Sequence, residues 1–295
     1  MKCFYHSDMD GVCSAAIVNY YFKKQNIQNS IFIETNFSKD FPFNIIEKDE
    51  KVIIVDFSLQ KDGDMEKLAA ITKDIIWIDH HKTAIEKHKD FKCNGLLDIN
   101  FAGCVLTWKY FFPDKDMPKI VDMLGSYDIW DFTKYGEQLN QLQCGIRLEE
   151  CNPESANWNK WLSGKEFNEL FKIYIDVDTI DDIIKKGRIA LQYRDNVWAS
   201  LIKSFSFFCN FEGYKCVCIN AGSVSSQIFD TVKEDYDIMI PFCFDGKQWT
   251  VSMYAKNKEI DVSIIAKKYG GGGHKNAAGF QCKELPFIKE NINEA

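Results

Sequence analysis

The chain has 295 residues, of which 46% are hydrophobic and 27% are charged, a composition typical of soluble globular proteins. Its 36 basic and 43 acidic residues give a formal net charge of -7. This balance argues against a protein that coats long nucleic acid through a broad basic surface. No apolar run reaches the roughly 18 residues that a membrane span needs, so we expect no membrane partner.

The N-terminus and the cysteines indicate the compartment. The N-terminal segment turns polar within a few residues, so we expect no signal peptide. Eleven scattered cysteines without a C-x-x-C motif are typical of reduced, mostly buried thiols. The sequence therefore predicts a cytoplasmic protein and argues against a structural zinc site.

In the first part of the chain, short apolar runs alternate with helical stretches. Continuous β-branched runs separated by helices are typical of a parallel sheet covered on both faces, so the predicted fold class is α/β. The predicted strands are residues 2–5, 30–34, 52–55 and 75–78, and the predicted helices are residues 10–24 and 65–72.

The middle of the chain is predicted to be mainly helical from Gly103 to about Leu148, with breaks at Pro113 and Pro118. The segment from Glu166 to Ser204 is interpreted as a long, charged and largely helical stretch. Its later part would connect two domains.

After Ser204 the pattern changes to strands separated by turns, which predicts a second, smaller α/β domain with a mixed sheet. We divide the chain into a catalytic domain (1–182), a linker helix (183–203) and a second domain (204–295). The strands predicted here are 205–211, 215–220, 236–244 and 248–254, and the helices are 225–232 and 261–269.

Three predicted strands end in residue types that bind metal ions. Ligands of open parallel sheets bind at the carboxyl ends of the strands, so position and residue type agree at each of the three. Any one of these residues taken alone could be a turn or helix cap. They are His6, Asp8 and Asp10 after the first strand, Asp56 after the third, and Asp79, His80 and His81 after the fourth; Asp128, in a later apolar segment, is a further candidate.

Two imidazoles and four carboxylates can hold two divalent ions, with one carboxylate bridging them. A mixed nitrogen and oxygen set suits Mn²⁺ or another transition metal better than Mg²⁺ or Ca²⁺. Two such ions clamp a phosphate for in-line displacement and lower the pKa of a shared water, which becomes hydroxide at neutral pH. Without cations the carboxylates would repel one another, so we expect electrostatic strain in the metal-free site.

These motifs resemble a known family. The run His6-Ser7-Asp8-Met9-Asp10-Gly11, together with Asp56 and Asp79-His80-His81, resembles the DHH phosphoesterase family. Residues 270–279, GGGGHKNAAG, resemble the glycine-rich signature of the DHH-associated C-terminal domain. The two signatures lie in the expected order and cover nearly the whole chain. The members most similar by these motifs are the short-RNA exonucleases called nanoRNases.

The resemblance implies a manganese-dependent phosphodiesterase or phosphatase of two domains with a cleft between them. It implies that Asp79 orients the neighbouring histidines and that His81 faces the substrate phosphate and assists its leaving oxygen. The implied ligands are His6 and Asp8 for one ion, Asp10, His80 and Asp128 for the other, and Asp56 as the bridge.

The second domain carries candidate substrate-binding residues. Glycines let backbone N–H groups approach an anion closely, and His274 and Lys275 can donate to a phosphate. Asn276 can bind an edge of a base or sugar. Many relatives have an arginine where this chain has Tyr254, which favours stacking on a base over clamping a phosphate. The full candidate set is Gly271, Gly272, Gly273, His274, Lys275, Asn276 and Tyr254; Trp249 and Phe280 could also stack, but two of these three aromatic residues are expected in the core.

The leading hypothesis is hydrolysis of phosphodiester bonds in very short oligonucleotides by metal-activated hydroxide, which releases 5'-mononucleotides. Two divalent cations, Mn²⁺ first, are the expected cofactors. The alternatives are a 3'-phosphoadenosine 5'-phosphate phosphatase, a cyclic or linear dinucleotide phosphodiesterase, and a nucleotide-binding regulator without catalysis. The expected partner is a short oligonucleotide or nucleotide, with no long nucleic acid, and the sequence is compatible with a homodimer.

Overall fold

The computed structural model describes residues 1–27, 29–37, 39–59, 61–168, 173–176 and 179–287. The chain divides into two compact units, Met1–Leu191 and Gln192–Ala295. Helix α8 (Thr179–Phe205) contains the boundary between them. The predicted three-part division into 1–182, 183–203 and 204–295 stays a prediction.

A parallel five-stranded sheet forms the centre of the first unit, as the α/β fold class predicted. Its strands lie in the order β2-β1-β3-β4-β5. The strands are β1 (Lys2–His6), β2 (Ile31–Thr35), β3 (Val52–Val55), β4 (Ile75–Asp79) and β5 (Asn94–Leu97). Strand β5, which the sequence analysis did not predict, pairs with β4.

The continuous apolar runs of the central strands are explained by burial on both faces. Successive side chains of a strand point to opposite faces, so alternate residues enter different cores. Phe4, Ile54 and Trp77 pack into the core on one face of the sheet. Tyr5 and Val55 belong to the core on the other face.

Helices pack around this sheet and form a third apolar core, to which α1, α4 and α5 contribute. Breaks between the middle helices occur at residues 112–118, the region of the two predicted proline breaks. The helices are α1 (Met9–Lys24), α2 (Asp64–Ile71), α3 (Lys82–Lys87), α4 (Gly103–Phe111), α5 (Lys119–Asp128), α6 (Gln138–Ile146) and α7 (Asn157–Ser163).

The predicted helical stretch from Glu166 to Ser204 is wrong in its first part. Strands β6 (Lys165–Asn168) and β7 (Ile173–Asp176) pair antiparallel there, and the helix begins only at Thr179. The charges of this segment suggested a solvated helix. Residue types such as Ile and Tyr, however, have a high strand propensity when a partner strand can satisfy the backbone.

A mixed six-stranded sheet forms the second unit, in the order β12-β13-β11-β10-β9-β8. Strands β9 and β10 are parallel, and the other neighbours are antiparallel. The elements are β8 (Ser206–Phe211), β9 (Tyr214–Asn220), β10 (Ile238–Phe244), β11 (Trp249–Ala255), α9 (Val262–Lys268), β12 (Gly272–His274) and β13 (Ala277–Cys282).

One predicted helix of the second unit is shorter and tighter than expected. Residues 225–232 contain a 3₁₀ helix over Ser226–Thr231 instead of an α-helix. The Ser225 side chain accepts a hydrogen bond from the Gln227 N–H and begins this turn. Among the helices in the described ranges, none is both long and apolar enough to cross a membrane.

Candidate metal centre

The carboxyl ends of β1, β3 and β4 bring the predicted metal-binding residues together. The order β2-β1-β3-β4-β5 reverses direction between β1 and β3, and ligands of open α/β sheets bind at such a switch point. His6 ends β1, Asp56 directly follows β3, and Asp79 ends β4. The strand-end residues therefore converge from positions as far apart in the chain as His6 and Asp79.

Three groups of side chains in the described ranges are spaced closely enough to hold a metal ion. Two of them, His6–Asp8–Asp56 and Asp10–His80–Asp128, consist of residues that the sequence assigned to one ion each, and the third combines Asp56, His80 and His81. His6 Nδ1 lies 2.9 Å from Asp8 Oδ2 and 3.8 Å from Asp56 Oδ2. In the second group, His80 Nε2 lies 3.7 Å from Asp10 Oδ2 and 3.4 Å from Asp128 Oδ2. Their roles as ligands stay predictions.

Asp56 stands between the two groups. His80 Nε2 is 3.2 Å from Asp56 Oδ1, whereas His6 Nδ1 faces Oδ2, so each oxygen of the carboxylate faces a different group. Asp56 is fully buried, and neither oxygen has a hydrogen-bond partner among the described residues. Its backbone adopts φ 52°, which is uncommon for a residue other than glycine. A buried carboxylate without hydrogen bonds fits a bridge between two cations, because the cations would supply the missing partners.

The Asp10 carboxylate also accepts backbone hydrogen bonds from the start of α4. Its Oδ2 accepts a hydrogen bond from the Gly103 N–H at 2.7 Å, and its Oδ1 accepts one from the Cys104 N–H at 2.8 Å. These groups form the N-terminus of α4, where the free N–H groups and the helix dipole stabilise a negative charge. Helix α4 thus holds the Asp10 carboxylate in place.

Asp79 contacts both histidines that follow it, and its predicted role in orienting them stays a prediction. Its Oδ1 lies 2.7 Å from His81 Nδ1 and accepts hydrogen bonds from the backbone N–H groups of His80 and His81 at 2.8 and 3.2 Å. The contact with Asp79 uses the hydrogen-bonding capacity of His81 Nδ1, although that nitrogen also lies 3.9 Å from Asp56 Oδ1. Among the described residues, no hydrogen bond involves the second ring nitrogen of His81.

Burial and repulsion between carboxylates dominate the electrostatics of the site. Burial raises the pKa of Asp56 well above its usual range, and the charges of Asp10 and Asp8 raise it further. Burial also raises the pKa of Asp128 to about 7, again with help from Asp10 and Asp8. Bound cations would remove this repulsion and keep both carboxylates ionised.

The pKa values of the other titratable groups at the site shift for different reasons. Burial opposes ionisation of Asp8, but His6 and the Gly11 N–H outweigh it and lower the pKa of Asp8. Burial lowers the pKa of His80 and so favours the neutral imidazole, which is the form that binds a metal. The hydrogen bond to Asp79 raises the pKa of His81, so this ring holds a proton more readily.

Asp128 and Asp131 lie in the same segment of the sequence, but only Asp128 lies at the candidate metal centre. Asp128 ends α5 beside His80, whereas Asp131 is exposed and accepts hydrogen bonds from Thr133. With a short oligonucleotide, the substrate class predicted from the sequence, we expect Asp128→Asn to lower kcat/KM roughly 10- to 100-fold, because a charged candidate ligand would be lost. Asp131→Asn should stay within twofold of the parent protein. Equal losses in the two variants would contradict the assignment of Asp128.

Two residues of the site were missed by the sequence analysis. A Cβ atom on Gly103 would lie 2.6 Å from Asp56 Cβ and 3.0 Å from Asp10 Oδ2, so only glycine fits there. The Phe37 ring lies 5.0 Å from the His6 ring and 5.7 Å from the His81 ring, between ring centroids. No local pattern marks either residue, because both contact the site through the tertiary fold.

The predicted substrate-binding residues lie in the second unit. His274, Lys275 and Asn276 are exposed, and Tyr254 is half-buried on β11. The backbone of this segment is already used within the unit: Gly271 N–H donates to Ala266 O at 2.9 Å. The side chains, more than the backbone, are therefore available to a ligand.

The glycines of this segment have a structural explanation. A Cβ atom on Gly271 would lie 2.1 Å from Gly279 O. Gly273 has φ 140°, and a Cβ atom there would collide with Ala278. Both glycines therefore permit the close approach of β12 to β13. Their predicted contact with an anion stays a prediction, as does that of Gly272. Phe280 cannot stack on a ligand base, because it is buried against Tyr269 at a ring distance of 4.7 Å.

Comparisons with known proteins agree with this architecture. Residues 3–124 match the model of the DHH family N-terminal domain. Residues 218–295 match the model of the DHHA1 domain. The two matches fall in the first and second unit respectively.

Three curated relatives align along nearly the whole chain. An uncharacterized protein of Acanthamoeba polyphaga mimivirus is 27% identical over 95% of this chain and 68% of its own length. A 3',5'-cyclic-nucleotide phosphodiesterase of Helicobacter pylori is 24% identical over 98% and 93%. Oligoribonuclease NrnB of Bacillus subtilis is 20% identical over 93% and 71%.

A solved structure, that of exonuclease RecJ bound to manganese, is similar in fold. It superposes with a TM-score of 0.55 at 13% identity and covers 99% of this chain and 88% of its own. At this identity the similarity shows a common fold.

Proposed function

This chain belongs to the DHH family of phosphoesterases, and we propose that it hydrolyses phosphodiester bonds of very short oligonucleotides to 5'-mononucleotides. The observation that carries the proposal is the buried Asp56 carboxylate, whose two oxygens face two separate groups of candidate ligands. The alignment with an oligoribonuclease over 93% of the chain supports the substrate class.

The proposed ligands are His6, Asp8 and Asp56 for one cation, and Asp10, His80, Asp128 and Asp56 for the other. Two divalent cations held there would act as Lewis acids on the phosphate and lower the pKa of a nearby water. Mn²⁺ is the proposed ion because the donor set mixes imidazole nitrogen with carboxylate oxygen.

His81 is the proposed general acid. Asp79 accepts the hydrogen bond at Nδ1, raises the pKa of the ring, and so favours the protonated form. The ring is one-third exposed, more than the side chains of His6 and His80. In the proposed reaction the oxygen of a water molecule forms a new bond to phosphorus, the phosphorus–oxygen bond to the leaving 3'-oxygen breaks, and His81 gives its proton to that leaving oxygen.

A substrate panel tests the proposal. With Mn²⁺ we expect 5'-mononucleotides from two- to five-residue RNA, and we expect EDTA to reduce the rate to background because the carboxylates alone cannot bind an anionic phosphate. The product is identified by chromatography against mononucleotide standards. If the protein binds Mn²⁺ but produces no mononucleotide from any of these RNAs, the proposed substrate class is wrong.

The same panel separates the second candidate, which the Helicobacter pylori relative favours because it aligns over 98% of the chain. Hydrolysis of 3',5'-cyclic AMP at a higher kcat/KM than any short RNA would support a cyclic-nucleotide phosphodiesterase. Cleavage of 3'-phosphoadenosine 5'-phosphate alone would identify a phosphomonoesterase. A protein that binds nucleotide without cleaving any of these substrates would be a regulator.

A further inference from the structure

A cavity of about 210 Å³ in the first unit adjoins the candidate metal centre. Aromatic and apolar side chains form half of its lining residues, and the polar half consists of two lysines and two aspartates, Asp40 and Asp64. The residues on which the argument depends are Phe37, Phe41, Phe57, Leu59, Lys39 and Lys61. A planar ligand with apolar faces and polar edges matches this combination of walls.

Phe37 connects the cavity to the metal centre. Its ring lies 5.0 Å from that of His6 and, edge to face, 5.7 Å from that of His81. On the side of the cavity it stacks on Phe57 at 5.1 Å with an interplanar angle of 20°, and Phe57 directly follows Asp56. A ligand in the cavity would therefore lie beside the place where the phosphate is expected.

The exposure of Phe37 also points to a ligand. Its relative exposed area is 43%, although Phe57, its stacking partner, is almost fully buried. An isolated exposed aromatic residue is common, but this one lies between a cavity and two histidines of the candidate metal centre, His6 and His81. Bases stack on aromatic side chains with little dependence on sequence, since every base has a π-face.

We propose that Phe37 is a specificity-determining residue that stacks on a nucleobase of the substrate in this cavity, next to the phosphate at the metal centre. The choice of a nucleotide as the ligand rests on the proposed function. The stacking makes the site prefer a phosphate that carries a base over the same sugar phosphate without one. Lys39 lines the cavity as the proposed donor for the edge of the base, whereas Lys61 Nζ pairs with Asp40 Oδ1 at 2.7 Å.

Equilibrium binding to the full-length protein with Mn²⁺ tests this without turnover. The probes are AMP and ribose 5-phosphate, which share the phosphate and sugar and differ only in the base. We expect the parent protein to bind AMP more tightly. In Phe37→Ala the Kd for AMP should rise roughly 5- to 150-fold, the range for loss of one stacked base. The Kd for ribose 5-phosphate should change less than twofold.

Two further variants control for the ring and for folding. Phe37→Tyr keeps the aromatic face and should retain AMP binding within about threefold, whereas Phe37→Leu keeps apolar volume without a ring and should behave like Phe37→Ala. Mn²⁺ affinity, measured in parallel, should be the same in all four proteins. Equal affinity for AMP and ribose 5-phosphate in the parent protein would overturn the proposal, as would a parallel loss of both in Phe37→Ala. Failure of oligonucleotide hydrolysis would instead refute the proposed function, because the binding assay needs no reaction.

Discussion

Asp56→Asn is expected to reduce turnover of a short oligonucleotide roughly a thousandfold or more while making the metal-free protein more stable. The loss of activity follows because the two oxygens of the Asp56 carboxylate face different candidate ligands: Oδ2 lies 3.8 Å from His6 Nδ1, and Oδ1 lies 3.2 Å from His80 Nε2. The size of the effect is the upper range for removal of one preorganised electrostatic group. The measurement that checks this loss is kcat at a saturating concentration of Mn²⁺, which should fall.

The gain in stability has a separate cause. The Asp56 carboxylate is buried without a hydrogen bond, and Asp10 and Asp8 repel its charge. An asparagine amide carries no charge and can donate to those carboxylates, so the free energy of unfolding in EDTA should rise by on the order of 1 kcal/mol. In Mn²⁺ the order should reverse, because only the parent protein gains the full binding energy of the bridged ions.

Thermal melts in EDTA and in Mn²⁺, combined with rates, separate the two effects. Asp62→Asn is the matched control: Asp62 is almost fully exposed and pairs only at the surface, 2.9 Å from Lys87 Nζ. Its loss should change neither the rate nor the melting temperature measurably. Activity above one tenth of the parent value in Asp56→Asn would contradict the bridge. A lower melting temperature in EDTA would contradict the electrostatic strain.

Gly103→Ala should lower kcat/KM roughly 100-fold or more although it adds a single methyl group. The added Cβ would lie 2.6 Å from Asp56 Cβ and 2.9 Å from Asp56 Oδ1, distances that force the ligand to move. The same change pushes on Asp10 Oδ2, which accepts the Gly103 N–H hydrogen bond. Displacement of catalytic groups by about 1 Å can cost 100-fold in rate.

Helix propensity alone predicts the opposite result, because alanine is favoured over glycine at a helical position by about 1 kcal/mol. The variant therefore distinguishes a steric role in the site from a local preference. Gly222→Ala is the control, since its Cβ would meet no atom nearer than 3.4 Å. Kinetics and Mn²⁺ titration of both variants give the readout. A Gly103→Ala protein with normal activity and Mn²⁺ affinity would refute the steric conflict between the added methyl group and Asp56.

The sequence was most informative where one physical cause dominates a segment. Strands β1, β3 and β4 are runs of apolar residues buried on both faces, so composition alone marks them. Strand β5 (Asn94–Leu97) has no such run and is mostly exposed, and it exists because its backbone pairs with β4. The β6–β7 pair likewise forms from backbone hydrogen bonds, which a pattern of charges does not reveal.

By itself, the sequence determined the residue types of the site and their place at strand ends, because the strand signal and the ligand types are both local. The tertiary structure alone decided which residues meet. It placed Asp128 and not Asp131 beside His80, and it brought Gly103 and Phe37 to the site across long separations in the chain. It also set β1 next to β3 at the switch point, so that the strand ends converge. Strand order and helix packing are determined by the burial of surface between segments that are distant in the chain. No local sequence pattern encodes that burial.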